Sequence, residues 1–177
     1  MNTSFAVGLL GALILVIGAA WPERPVRHPT LAIKNWLFAV GNLCMFAYAL
    51  LNWVSGGSIF FVILQIFINA TSILMMLNTK NSFDIPFVAL VGSALTVWAL
   101  SLFEGYGTVL FVIGLSSIGL GFALDTNTVQ RNIALTTGSI IIAFFSYLQS
   151  DWVFFWLNVF FALFSAYYAW KLSKKLF

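Results

Sequence analysis

Charge is what this chain has least of. Asp, Glu, Lys and Arg together make up 7% of its 177 residues, against 62% hydrophobic. A soluble domain carries ~25% charged residues, and no water-soluble fold could hide this much apolar surface. The net charge of +3 comes from basic residues beside apolar segments, so it gives no reason to expect nucleic acid as a partner. There is one cysteine, Cys44. It excludes an internal disulfide and reads as a small apolar packing residue. There is one histidine, His28, in a basic loop, which excludes a His-Glu-x-x-His metal motif. No Asp, Glu, Lys, Arg or His falls in the middle of an apolar segment. Intramembrane ionisable groups mark proton relays and ion pathways, so their absence argues against a pump, carboxylate-based proton coupling, a metal centre and general acid–base chemistry. No mid-span Lys is available for retinal. Neither an enzyme nor a cofactor is expected.

What is present is apolar sequence in seven stretches: 4–21, 33–54, 58–78, 85–103, 106–124, 132–149 and 152–171. At ~1.5 Å of rise per residue, each crosses a hydrocarbon core ~30 Å thick. The stretches do not alternate as barrel strands do. The expected class is an all-α membrane protein with seven transmembrane helices in a single membrane domain over 1–177, and the lipid bilayer as its surroundings. The first stretch has no basic residue before it and no clear cleavage site, so it reads as a retained span. Arg24, Arg27, Lys34, Lys80, Arg131, Lys171, Lys174 and Lys175 all fall on one side when seven spans are counted. Basic residues near span ends stay cytoplasmic, which predicts an outside N-terminus and a cytoplasmic C-terminus.

The chain also resembles itself. Gly11 and Gly18 are matched by Gly114 and Gly121 at an offset of 103. At an offset of 97, Lys34-Asn35 meets Arg131-Asn132, Gly41 meets Gly138 and Asn52 meets Gln149. At 93, Gln65 meets Asn158 and Ser72 meets Ser165. The offset falls where a loop shortens. These matches predict two three-helix repeats, 4–78 and 106–171, joined by a linker helix, 85–103. An odd number of spans between copies gives them the same membrane orientation. Such parallel repeats place a substrate site near the midplane.

Neutral polar residues supply the candidate site. Ser, Thr and Gly in membrane helices commonly serve packing, with cross-helix hydrogen bonds averaging ~0.6 kcal/mol. Carboxamides are more demanding, because an unpaired amide in lipid costs several kcal/mol. Gln65, Asn69 and Asn158 therefore need each other, a water-filled cavity or a ligand. Most tryptophans lie near span ends as an interfacial belt. Trp156 is deeper, although two residues from Asn158 it points in a different direction. Tyr48 and Tyr147 come late in the second and sixth spans. An aromatic face beside a carboxamide can hold a sugar or heteroaromatic ring, so Tyr48, Tyr147 and Trp156 join the candidates.

The sequence Trp21-Pro22-Glu23 stands near the cytoplasmic end of the first helix, with Ala123-Leu124-Asp125 in the corresponding place of the second copy. With Asn158 in a third-helix position and Gln65 or Asn69 opposite, the three-one-three layout resembles the SWEET sugar transporters. It is also similar to the related PQ-loop proteins and to the PnuC vitamin transporters. Small bacterial inner-membrane proteins share this length and layout, so an inner (plasma) membrane location is expected. The resemblance implies transport of a small neutral polar solute, such as a sugar or a vitamin- or nucleoside-like molecule, by alternating access between two three-helix bundles. The alternative is a non-transporting binding or scaffold subunit of a larger complex. A homo-oligomer is compatible with either.

Overall fold

The computed structural model describes residues 3–21, 28–77, 81–125 and 128–174. Arg24, Arg27, Lys80 and Lys175, on which much of the charge asymmetry rests, lie outside the described residues. The described chain forms seven α-helices and a 3-10 turn at Pro29–Leu31, with no strand among them. The helices are α1 (Thr3–Ala20), α2 (Ile33–Val54), α3 (Phe60–Leu77), α4 (Asn81–Ser101), α5 (Tyr106–Ala123), α6 (Val129–Leu148) and α7 (Trp152–Ser173). Six are long and apolar enough to cross a membrane, while α3 offers a shorter apolar stretch, Phe60–Leu74.

Two starts differ from the sequence expectation. The α6 helix begins at Val129 because the Thr128 hydroxyl accepts from the Arg131 amide at 3.3 Å, a side-chain N-cap. Arg131 and Asn132 therefore lie within the helix rather than before it, as do Lys34 and Asn35 in α2. The α4 helix begins at Asn81 and runs through Pro86. Pro86 has no amide hydrogen, so the helix continues there without one rung of its hydrogen-bond ladder.

The chain divides into two compact units, Met1–Asp84 and Ile85–Phe177. In the first, α1 packs on α2 and α2 on α3. Its core is built from Leu15, Met45, Phe60, Phe61, Ile63 and Phe67. In the second, α5 packs on α6 and α6 on α7, around Phe111, Leu115, Ile142, Phe145 and Phe154.

Glycine sets the distance of the first crossing in each unit. A Cβ on Gly11 would lie 3.0 Å from the Met45 amide nitrogen and 3.2 Å from the Gly41 carbonyl oxygen. One on Gly41 would lie 2.7 Å from Leu15 Cγ. In the second unit, a Cβ on Gly138 would lie 2.9 Å from the Ile118 amide nitrogen and 3.0 Å from the Gly114 carbonyl oxygen, and one on Gly114 would meet Ile142 at 2.7 Å. Leu15 and Ile118 correspond at the offset of 103, and Met45 and Ile142 at 97. Leu15 and Ile118 thus fill corresponding notches at Gly41 and Gly138, whereas Gly114 lies against the Ile142 side chain and Gly11 against the Cys44 Cβ and the backbone of α2. Small residues permit this close approach between helices in a medium where water supplies no hydrophobic drive.

The α2 and α6 helices end in the same way. Beyond α2, the Gly57 amide donates to the Asn52 carbonyl at 2.8 Å and the Gly56 amide to Trp53 at 2.9 Å. Beyond α6, the Asp151 amide donates to Ser146 at 2.9 Å and the Ser150 amide to Tyr147 at 3.0 Å. Both are Schellman motifs, which need a left-handed residue just past the helix. Gly56 takes it at φ 95° and Ser150 at φ 56°. These motifs pair Asn52 with Ser146, not with Gln149. At the offset of 97, the end of α2 would correspond to position 151, three residues past Leu148. The α2 helix is nearly one turn longer, and the sequence match at Asn52 does not survive that extension.

The outer faces remain apolar. On α1, Leu9, Leu13 and Ile17 form an exposed stripe at helical spacing. Such surface suits lipid.

Candidate functional site

The polar residues of the first unit meet along the α2–α3 seam. Gly41 faces α1, so its neighbour Asn42, turned ~100° around the helix, faces α3. There the Asn42 Nδ2 donates to the Ser72 Oγ at 2.7 Å. Asn69 Nδ2 donates to the Gln65 carbonyl oxygen at 2.8 Å and to the Asn42 carbonyl oxygen at 3.3 Å. Both acceptors are carbonyls, which cannot donate, so the Asn69 nitrogen must occupy that place and its Oδ1 must point away. Gln65 lies one turn before Asn69. It is 2% exposed, and its Oε1 is sealed from solvent with no hydrogen-bond partner among the described residues.

Asn158 lies in the second unit, buried, with Nδ2 donating to the Phe154 carbonyl oxygen at 2.8 Å. Like Asn69, it spends its nitrogen on the carbonyl four residues back in its own helix and presents its oxygen. Polar partners nearby are fewer. The positions matching Asn42 and Asn69 are Ser139 and Ala162.

No family model, curated protein or solved structure matches the chain. The site is therefore read from its chemistry alone.

Of the aromatic candidates, Tyr48 is buried, whereas Tyr147 and Trp156 are exposed. Tyr48 is buried in the α1–α2 interface, its ring base against Gly8, where an added Cβ would lie 2.7 Å from Cγ. Tyr147 and Trp156 are 53% and 55% exposed. Tyr147 belongs to an aromatic cluster at the junction of α6 and α7, with Trp152 at 5.9 Å and Phe155 at 6.1 Å. Trp156 stacks edge-on against Phe155 at 5.1 Å, while Asn158 turns inward.

A groove of about 420 Å³ runs along the α6–α7 face past Ala143, Tyr147, Phe155, Val159 and Ala162. Thr136 on its wall donates its hydroxyl to the Asn132 carbonyl at 2.7 Å, and the exposed Tyr147 carries the other hydroxyl. The groove offers shape for an apolar chain but little to orient a polar solute.

Asn42 and Ser72 complete the α2–α3 seam, and sequence reasoning left them outside the site. The available signal was Gly41. A glycine fixed at the α1 crossing dictates that the next residue turns toward the third helix. Among the described residues, no group of three or more His, Cys, Asp or Glu side chains gathers to hold a metal.

Proposed function

We propose that the chain is an integral membrane transporter or facilitator for a small neutral polar solute, built from two related three-helix units. The observation that carries the reading is the Gln65 carboxamide, whose Oε1 is buried with no hydrogen-bond partner among the described residues. An unpaired buried acceptor costs ~1–3 kcal/mol. A protein whose only task was to hold its helices together would gain by having an apolar side chain there. A solute that supplies the missing hydrogen bond removes the penalty, so binding it is favoured by that amount. That bias is what a carrier needs in order to open toward a solute and close around it.

The recurrence of the glycine notches and of the Schellman motif supports a duplicated unit, and it fits the layout shared with SWEET, PQ-loop and PnuC proteins. The neutral character of the seam favours a neutral solute. The N-terminus lies outside and the C-terminus in the cytoplasm, with the inner membrane of a bacterium as the expected setting.

Reconstitution of the purified protein into liposomes tests the proposal. Uptake of labelled sugars, nucleosides or neutral amino-acid-sized solutes without any partner is the expected result. Ligand binding without uptake would assign the chain instead to a binding subunit of a larger complex.

A further inference from the structure

The C-terminal half of α7 presents one continuous outward face. Phe160, Leu163, Tyr167, Trp170, Lys171 and Lys174 are all exposed. At ~100° of turn per residue they fall within a sector about 100° wide. Lys174 caps the helix with helical dihedrals, φ −66° and ψ −16°, so it continues that face. The face is apolar along its length and cationic at its end. No Asp or Glu occurs in α7, and neither lysine has a carboxylate partner among the described residues.

The Lys174 Nζ lies 4.0 Å from the centre of the Trp170 ring. Side chains lean toward the N-terminus of their helix, so this contact draws the ammonium back one turn, toward the apolar stripe. Tyr167 packs on Trp170 at 6.1 Å. The Tyr167 hydroxyl and the Trp170 indole N–H have no hydrogen-bond partner among the described residues. By contrast Trp36, at the start of α2, spends its indole N–H on the Thr30 carbonyl at 2.9 Å.

Resting on the membrane reading above, we infer that this face binds an anionic phospholipid, with the phosphate at Lys171 and Lys174 and an acyl chain along Tyr167, Leu163 and Phe160. Two ammonium groups, a hydroxyl and an indole N–H can all donate, and a phosphodiester offers acceptors and a negative charge. Charge alone would suit free phosphate as well. The apolar stripe directly beside it selects an amphiphile. Lysines at a helix C-terminus also offset its dipole and hold the span's orientation, but neither role calls for a headgroup preference.

The test titrates the purified full chain, in detergent micelles, with dioleoylphosphatidylglycerol and dioleoylphosphatidylcholine, following Tm. Inorganic phosphate is titrated separately as the free anion. The anionic lipid should bind roughly tenfold or more tightly than the zwitterionic one with the same chains, since each lysine adds its own attraction. About 1 M salt should erase the difference, because it shortens the screening length to ~3 Å. The double variant Lys171→Gln, Lys174→Gln should lose the preference, and Lys171→Arg, Lys174→Arg should keep it. Lys34→Gln removes one charge at another helix end and should leave it unchanged.

Equal binding of the two lipids by wild type overturns the inference. So does a preference that survives the double glutamine variant, or one lost equally in Lys34→Gln. Inorganic phosphate that raises Tm as well as the anionic lipid does would assign the lysines to a free anion and overturn the lipid. Alkaline carbonate extraction separates the two readings. A chain released from membranes overturns the membrane reading, and one retained without lipid preference overturns this inference alone.

Discussion

Replacing Gln65 by methionine should make the protein more stable while impairing its function. The two side chains have similar length and similar rotamer freedom, so little packing or conformational entropy changes. What changes is the orphaned oxygen. Gln65 is 2% exposed with Oε1 unpaired, and removing an unsatisfied buried acceptor recovers about 1–3 kcal/mol. The Asn69 bonds survive, because they use the Gln65 backbone oxygen and the Asn42 backbone oxygen. For a chain of this size, 1 kcal/mol corresponds to roughly 2–4 °C in Tm. A rise of several degrees in detergent, with solute uptake lost, is the expected outcome. A fall in Tm would refute the reasoning. It would mean that the carboxamide is already satisfied, and that the seam is a structural network in which Gln65 holds helices together.

The remaining predictions concern the frame around the seam. Ser150→Gly should stabilise the chain by about 1 kcal/mol, because a non-glycine residue pays for the left-handed conformation at φ 56°, and Gly56→Ala should destabilise it by a similar amount; chemical unfolding of the two variants checks the opposite signs. Gly138→Ala should cost about 1–3 kcal/mol, since its Cβ would meet backbone atoms of α5 at 2.9 and 3.0 Å; an unchanged Tm would show that the crossing has slack. A cysteine at Lys80, in a Cys44→Ala background, should resist an impermeant maleimide in sealed cells, while one at Ser55 should react; labelling of position 80 from outside would reverse the proposed orientation.

Helix number and placement were legible because each apolar stretch is long and bounded by turn residues. The breaks between the second and third and between the sixth and seventh stretches fall where the structure closes a helix with a left-handed residue, Gly56 and Ser150. Boundaries were less legible where one hydrogen bond decides them, as with Thr128 at the start of α6. Apolar composition marks where a helix enters lipid, whereas a cap marks where the backbone begins to coil. Gln65, Asn69 and Asn158 stood out as costly amides, and all three lie on inward or partly buried faces. Which atom of each remains unpaired depends on neighbours brought in from another helix, such as Asn42, and no spacing within a single segment reveals it. The aromatic candidates were chosen by depth along a helix. Direction around the helix then sent Tyr147 and Trp156 outward.

The glycine crossings have a mechanical consequence. Leu15 seats in the notch at Gly41, as Ile118 seats at Gly138 and Ile142 over Gly114, while Gly11 lies against the Cys44 Cβ. Each pair works like a tooth in a rack. Axial slip by one turn, ~5.4 Å, would drive a branched side chain out of its notch and onto bulkier neighbours. The α1–α2 and α5–α6 pairs are thus the stiff part of each unit. Compliance within the first unit falls to the α2–α3 seam, where amide–carbonyl contacts can exchange one oxygen for another without the helices having to climb over each other.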